Sequence, residues 1–176
     1  MRLSEIAERL APHLNRDAEA VHTALRNPHI KSHLVGTPGP TPKSPVDYEF
    51  QELVRAFVLL AAQASNVDGA ELARISLALS ERNAALMDEP GGATPAALHE
   101  MIRSIRAGRD DWHMFVRFIV TMDGTREIEA RLGRGEMVVH AGRAANAERY
   151  TCGDLTFGHT FIPLADLLRS LLRGQA

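Results

Sequence analysis

The residues whose types and spacing could recognise a ligand concentrate on one helical face near the N-terminus. They are Arg16, His22, Thr23 and Arg26. A helix with these outward side chains can enter the major groove of DNA, where arginine pairs with guanine and threonine contacts the methyl group of thymine. The pattern therefore predicts a DNA-reading helix over about residues 17 to 26, capped by Asn15 or Asp17.

More basic side chains follow this helix. Lys31 and His33 precede the stretch GTPGPTPKSP, and Lys43 lies within it. Its four prolines and two glycines exclude a helix and indicate a loop or a β-hairpin that returns at residues 46–50. With a short strand at 29–35 leading into it, the hairpin would hold Lys31, His33 and Lys43 near phosphates, which gives affinity without sequence information.

Metal and catalytic patterns are weaker. His29 and His33 have the i, i+4 spacing that brings zinc ligands together on a helix, but the spacing loses that meaning in the expected strand. Cys152 could act as a nucleophile with His140 or His159, although a lone cysteine in an apolar strand is more often a small buried residue. We therefore expect no catalytic residues, no metal and no cofactor, and a chain that is not an enzyme.

Composition is typical of a globular protein. The chain has 176 residues, of which 45% are hydrophobic and 24% charged. Its longest uninterrupted apolar run, Ala56 to Ala62, is far below the roughly 18 residues of a membrane helix. A single cysteine cannot form an intrachain disulfide, and the basic residues are arginine except for Lys31 and Lys43, a bias typical of GC-rich bacterial coding. We expect a bacterial, cytoplasmic protein without membrane attachment.

Charge is unevenly distributed along the chain. The net charge of −2 argues against a uniformly basic coat for nucleic acid. Residues 1–46, however, contain six basic and four acidic residues, whereas the remainder contains 14 basic and 18 acidic ones. The N-terminal quarter is therefore the basic end of an otherwise acidic chain.

Hydrophobic periodicity outlines the elements that must position this basic end. A first helix is expected to begin at the N-cap Ser4 and to end near Pro12, with residues 13–16 as the connection to the reading helix. Asn27-Pro28 should end that helix. A third helix capped by Asp47 and a fourth over 72–86 follow, joined by a turn at 66–69.

The C-terminal half changes from helical to strand periodicity. After a helix from Thr94 to Gly108, strands are expected at 112–121 and 125–132 around the hairpin signal Asp123-Gly124, the second with Glu129 outward. A third strand is predicted at 137–140, with weaker candidates at 150–151 and 155–162. A helix after Pro163 carries a leucine stripe, which is core more often than a dimer seam, and Trp112 is expected to be a packing anchor.

The N-terminal order of elements resembles a winged helix-turn-helix DNA-binding domain, with LSEIAERL as the supporting helix and NRDAEAVHTALRN as the recognition helix. The segment VDYEFQELVRAFVLLAAQASNVDGAELARI, with Tyr48 and Phe50 at its start, is similar to the helical pair that follows the wing in MerR-like regulators. The likeness covers about residues 3–80. It implies a DNA-binding domain with a helical pair at 1–89. The periodicity after it predicts an α+β fold, in which a small antiparallel β-meander flanked by helices at 94–176 would by its position serve dimerisation or effector binding.

These observations favour a sequence-specific transcriptional regulator that binds double-stranded DNA as a homodimer. Two other readings stay open. One is a protein-interaction adaptor or antitoxin-like partner that uses the helical pair and the leucine stripe without DNA. The other is a small enzyme or ligand sensor, which would require four residues to converge: His113, His140, Cys152 and His159. The basic faces could also be ordinary solvated surface.

Overall fold

The computed structural model of the chain describes residues 1–41, 44–82, 95–121, 123–135 and 155–173. These ranges contain seven helices and five strands, the strands forming small antiparallel sheets, so the fold is α+β. Contacts divide the chain into two units, residues 1–76 with 170–176, and residues 77–169. The predicted domain boundary near 90–94 lies outside the described residues. None of the helices in the described ranges combines the length and apolar character needed to cross a bilayer.

Helix α1 spans Leu3–Leu14 and differs from its prediction at both ends. Its N-cap is Arg2 rather than Ser4, because the side chain of Glu5 accepts a hydrogen bond from the Arg2 backbone N–H at 3.2 Å. The helix continues through Pro12, which removes only one backbone bond near its end. Asn15, with φ of 52°, then ends it, so the link to the next helix consists of residues 15–17.

Helix α2 spans Ala18–Arg26, close to its predicted range. The side chain of Asp17 caps it by accepting a hydrogen bond from the backbone N–H of Ala20 at 2.7 Å. Of its four predicted inward residues, Val21 and Leu25 are 1% and 0% exposed, while Ala18 and Ala24 are half-buried. Asp17, one of the two predicted caps, is the residue that starts the helix.

The strand predicted at 29–35 is wrong, because this segment opens with a one-turn helix, α3, at Pro28–Lys31. The side chain of Asn27 accepts a hydrogen bond from the backbone N–H of His29 at 3.0 Å. Pro28 occupies the first helical turn, where its fixed φ suits the helix and its missing N–H costs nothing. The same Asn-Pro pair thus ends α2 and starts α3.

A two-stranded hairpin follows. Strand β1, Gly36–Thr37, pairs antiparallel with β2, Asp47–Tyr48. The backbone N–H of Tyr48 also donates to the carbonyl oxygen of Met1 at 2.7 Å, and the Met1 ammonium donates to the Tyr48 carbonyl at 2.9 Å. Asp47 is therefore a strand residue and not the predicted cap of the next helix, whose N-cap is Glu49.

Two further helices, α4 and α5, follow the hairpin. Helix α4 spans Phe50–Ala64 and α5 spans Leu72–Ser80, while Leu86, expected on α5, lies outside the described residues. Every residue of α4 from Glu52 to Leu60 is buried, so this helix is central to the unit. The largest fully buried side chains of this unit are those of Ile6, Leu10, Leu25, Ile30, Leu53, Phe57, Leu59, Leu72 and Ile75.

The second unit contains helix α6, Ala97–Arg106, and a three-stranded sheet. Strands β3, Trp112–Val120, and β4, Arg126–Arg134, pair in register from Trp112↔Arg134 to Val120↔Arg126, as the Asp123-Gly124 signal predicts. Strand β5, Leu155–Ile162, lies on the other side of β3. Thr94 and the strands predicted at 137–140 and 150–151 lie outside the described residues.

The described strands have the order β4-β3-β5, while the third strand of the predicted meander, at 137–140, lies outside the described residues. β3 takes the centre because it is buried on both faces, as shown by the low exposure of His113, Met114 and Ile119. Glu129 is 8% exposed rather than outward, because Arg131 Nε donates to its Oε1 at 2.7 Å and Arg117 Nη2 lies 3.5 Å from its Oε2.

The last helix, α7, spans Leu164–Arg173. Four of the five leucines in its predicted stripe are buried, namely Leu164, Leu168, Leu171 and Leu172, and the fifth, Leu167, is half-buried. Trp112 is 1% exposed. The stripe and the tryptophan are therefore core, as expected of both.

Candidate nucleic-acid interface

Helix α2 presents one polar face to solvent. Thr23 and Arg26 are exposed on it and His22 is half-buried, while Val21 and Leu25 occupy the buried side. These positions follow the spacing of one helical stripe. Arg16 is exposed immediately before the cap of the helix. The structure thus brings His22, Thr23 and Arg26 to one face and places Arg16 at its N-terminal end.

An acidic residue shares this face. Glu19 is exposed one turn before His22 and Thr23, so the positive charges of Arg16 and Arg26 lie at the two ends of the face. A glutamate on a reading helix repels phosphate, yet it can accept a hydrogen bond from the amino group of cytosine. The mixture of charge suits contact with base edges better than a purely electrostatic attachment to the backbone.

Lys31 lies at the end of α3 and is exposed, rather than on the predicted strand. Ile30 anchors this short helix, being 0% exposed. The exposed side chain of His29 lies beside Gly69, since a Cβ added to Gly69 would stand only 2.8 Å from its imidazole ring. Gly69 belongs to the turn between α4 and α5, so the short helix that carries Lys31 lies next to that turn.

His33 is half-buried. Burial, followed by the positive charge of Arg55 and then by His29, lowers the pKa of His33 below its ordinary value of 6.5. These surroundings disfavour the charged imidazole in the folded chain, and a phosphate contact by His33 stays a prediction. Lys43, the remaining predicted contact, lies outside the described residues.

Sequence reasoning missed two buried charged residues of the first unit. Glu52 and Arg55 on α4 are only 2% and 8% exposed, and Arg55 Nε lies 3.2 Å from Oε2 of Glu52. The backbone N–H of Val35 donates to the same carboxylate at 3.0 Å. The available signal was the apolar run around them, because a charged pair on a helix that is apolar on all sides must be buried.

The histidines and the cysteine considered for metal binding and catalysis lie outside the α2 face or outside the described residues. His29 and His33 lie close enough to interact electrostatically, but no group of three or more His, Cys, Asp or Glu side chains able to hold a metal ion occurs among the residues that the structure describes. Cys152 and His140 lie outside the described residues. His159 pairs in register with Arg117 on β3.

Comparison of the chain with protein-family models, curated proteins and solved structures found no match. An exposed face with arginine, threonine and histidine, next to an exposed lysine, can donate hydrogen bonds to phosphates and to base edges.

Proposed function

We propose that this chain is a transcriptional regulator that binds specific sequences in double-stranded DNA as a homodimer. The observation that carries the proposal is the pairing of α1 with a well-capped α2 across a three-residue link, with Arg16, Thr23 and Arg26 exposed. A link of that length is typical of helix-turn-helix motifs, in which the second helix reads the major groove.

The elements after α2 support the same function. In this proposal the β1–β2 hairpin acts as a wing, and Lys31 on α3 binds a neighbouring phosphate. The hairpin is held at its base by the bonds between Tyr48 and Met1. Phosphate contacts of this kind fix the register of a protein on DNA and make its affinity dependent on salt.

Dimerisation follows from the short reach of the reading helix. Nine residues of α2 span about 14 Å, enough for only a few base pairs. Two copies related by a two-fold axis double the length of sequence that is read, and their half-sites lie about 10 base pairs apart, or a multiple of that. The partner we propose is therefore a second copy of this chain.

Selection of bound sites from random double-stranded DNA by the purified protein tests this function. The expected result is an enriched motif with two-fold symmetry and half-sites separated by about one or more helical turns. A failure to enrich any motif, together with no retardation of genomic DNA at low salt, would contradict the proposal.

A protein-binding role without DNA is the second candidate. Leu77 and Phe161 in the second unit favour it, because they are 54% and 56% exposed and large apolar side chains in that state can serve as anchors for a partner. The leucine stripe of α7 no longer supports it, since that stripe is mostly buried. A stable complex with another protein that is lost on Phe161→Ala, in a chain that does not retard DNA, would favour this candidate.

A further inference from the structure

A buried acid–base pair lies at the centre of the first unit, outside the exposed face proposed to read DNA. Glu52 is 2% exposed and Arg55 is 8% exposed. Removing two charges from water is unfavourable unless each is paired and hydrogen-bonded, so both groups need specific partners. Those partners identify what the pair does in the fold.

Glu52 holds the chain between α3 and the hairpin. Its Oε2 accepts a hydrogen bond from the backbone N–H of Val35 at 3.0 Å and lies 3.2 Å from Nε of Arg55. Val35 immediately precedes β1. The carboxylate therefore fixes the backbone at the point where the chain leaves α3 and enters the hairpin.

Arg55 extends the connection to α5. One terminal nitrogen of its guanidinium donates to the carbonyl oxygen and to the hydroxyl of Ser76, each at 3.2 Å. A continuous series of polar contacts therefore runs from Val35 through Glu52 and Arg55 to Ser76. It joins the entrance to the hairpin, the central helix α4 and helix α5 within the first unit.

The residues on both sides of Val35 are held by close packing, although the Val35 side chain is exposed. Leu34 is buried, and a Cβ on Gly36 would collide with Val46 and Tyr48, which shows how closely the hairpin packs there. Val35 itself is 73% exposed, and it is the only large apolar side chain so exposed among the described residues of the first unit. Its side chain faces solvent while its backbone N–H is bonded to a buried carboxylate.

We propose that Glu52 is a positioning residue for DNA binding, which holds the entrance of the hairpin and the adjoining end of α3 in the geometry that contacts the duplex, and that Arg55 neutralises its buried charge. This inference rests on the proposed function. The pair touches no DNA itself. It acts through the backbone of Val35, which lies between Lys31 and the hairpin.

The test replaces both charges together, because removing one would leave the other buried and unpaired. The variant E52L/R55L removes the bonds to Val35 and Ser76 without leaving such a charge. Glu100 and Arg103 on α6 offer the control E100L/R103L, since they form an i, i+3 pair in the other unit with 2.8 Å between Nη2 and Oε1, in which Glu100 is buried and Arg103 is exposed. A third variant, E52Q/R55M, keeps an oxygen acceptor for the Val35 N–H.

Three quantities are measured for each variant: the thermal unfolding midpoint, the hydrogen-exchange rate of the Val35 amide without DNA, and the affinity for duplex DNA at low salt. In E52L/R55L we expect the unfolding transition to remain cooperative. The Val35 amide should exchange about tenfold faster or more, which is the effect of losing one charge-assisted hydrogen bond. The affinity for DNA should be about tenfold weaker. E52Q/R55M should recover Val35 protection and bind within about threefold of the original protein. E100L/R103L should bind like the original.

Each contrary outcome has a distinct meaning. Faster Val35 exchange with unchanged DNA affinity would overturn the positioning role and leave the proposed function intact. Unchanged Val35 exchange, or weak binding by E52Q/R55M despite a protected Val35 amide, would also overturn it. If E52L/R55L fails to fold, E52Q/R55M is compared with the original protein, and faster Val35 exchange in E52Q/R55M with unchanged DNA affinity would overturn the positioning role. Failure of the original protein to bind any duplex would overturn the proposed function and this inference with it.

Discussion

The imidazole of His113 stacks on the ring of Phe161, with the two centroids 4.7 Å apart. His113 is 4% exposed, whereas Phe161 is 56% exposed. The histidine Nδ1 lies 3.3 Å from the carbonyl oxygen of Asp111. Burial lowers the pKa of His113 below 6.5, and the hydrogen bond and charge of Asp111 offset this only in part. The folded protein therefore resists protonation of this ring.

This predicts a loss of stability on mild acidification. Because the pKa of His113 is lower in the folded than in the unfolded chain, the unfolded chain takes up more protons below pH 6.5 and the free energy of unfolding falls there. His113→Phe keeps an aromatic ring but cannot titrate. Denaturant unfolding from pH 7.5 to 5 should show a shallower decline for this variant, by at most about 1.4 kcal/mol per pH unit. An identical decline in both proteins would contradict the prediction.

Removing the two arginines at the ends of the α2 face should weaken DNA binding. If these arginines contact bases, R16A/R26A should lose about 1–3 kcal/mol of binding free energy for each contact. If they contact phosphates, the slope of log affinity against log salt concentration should be shallower by about one for each contact. A fluorescence titration on a selected site at several salt concentrations measures both.

The matched control is R74A/R82A, which removes the same charge from two exposed arginines elsewhere. It should retain the affinity of the original protein within a small electrostatic change. Equal losses in the two double variants would show that overall charge, and not the α2 face, determines binding.

The cap of α2 should contribute measurably to stability. Asp17→Ala removes the acceptor for the Ala20 backbone N–H and should lower the free energy of unfolding by about 1 kcal/mol. Asp17→Asn keeps an acceptor at the same position and should be close to the original protein. Urea denaturation of the three proteins measures the difference, and equal stability of the alanine and asparagine variants would exclude the cap.

Gly36 should not tolerate a side chain. A Cβ there would meet Val46 Cγ1 and would stand 2.8 Å from the Tyr48 ring, so Gly36→Ala should cost about 1–3 kcal/mol. Val46→Ala removes the nearest obstacle, and the double variant G36A/V46A should therefore be more stable than the sum of the two single losses predicts. Additive losses in thermal or urea unfolding would contradict this arrangement of the hairpin.

The cap and the apolar spacing in the sequence predicted α2 well, but the prediction for the segment directly after it, residues 29–35, was wrong. Asp17 is a good cap followed by a regular apolar stripe, so the helix was recognisable from the pattern. Residues 29–35 look apolar enough for a strand, but the hydrogen bond from the His29 N–H to the Asn27 side chain favours a helical turn. Such a bond depends on the backbone conformation and does not appear as a periodic pattern of apolar residues in the sequence.

Tertiary organisation was less accessible from the sequence. The hairpin of β3 and β4 was predicted because its turn signal is local, whereas β5 comes from a distant segment and joins the other edge of β3. The burial of Glu52 and Arg55 depends on Val35 and Ser76, neither of which is adjacent to them in sequence. Pairings of this kind are set by the packed structure and not by residue spacing.

The first unit is discontinuous along the chain, since it contains residues 1–76 and 170–176 and the second unit is an insertion between them. Nδ1 of His13 on α1 lies 3.0 Å from Oγ of Ser170. A fragment taken from the N-terminal residues alone would consequently lack the end of α7. A variant in which a flexible linker joins residue 76 to residue 170, and residues 77–169 are left out, would contain every segment of the first unit in one shorter chain.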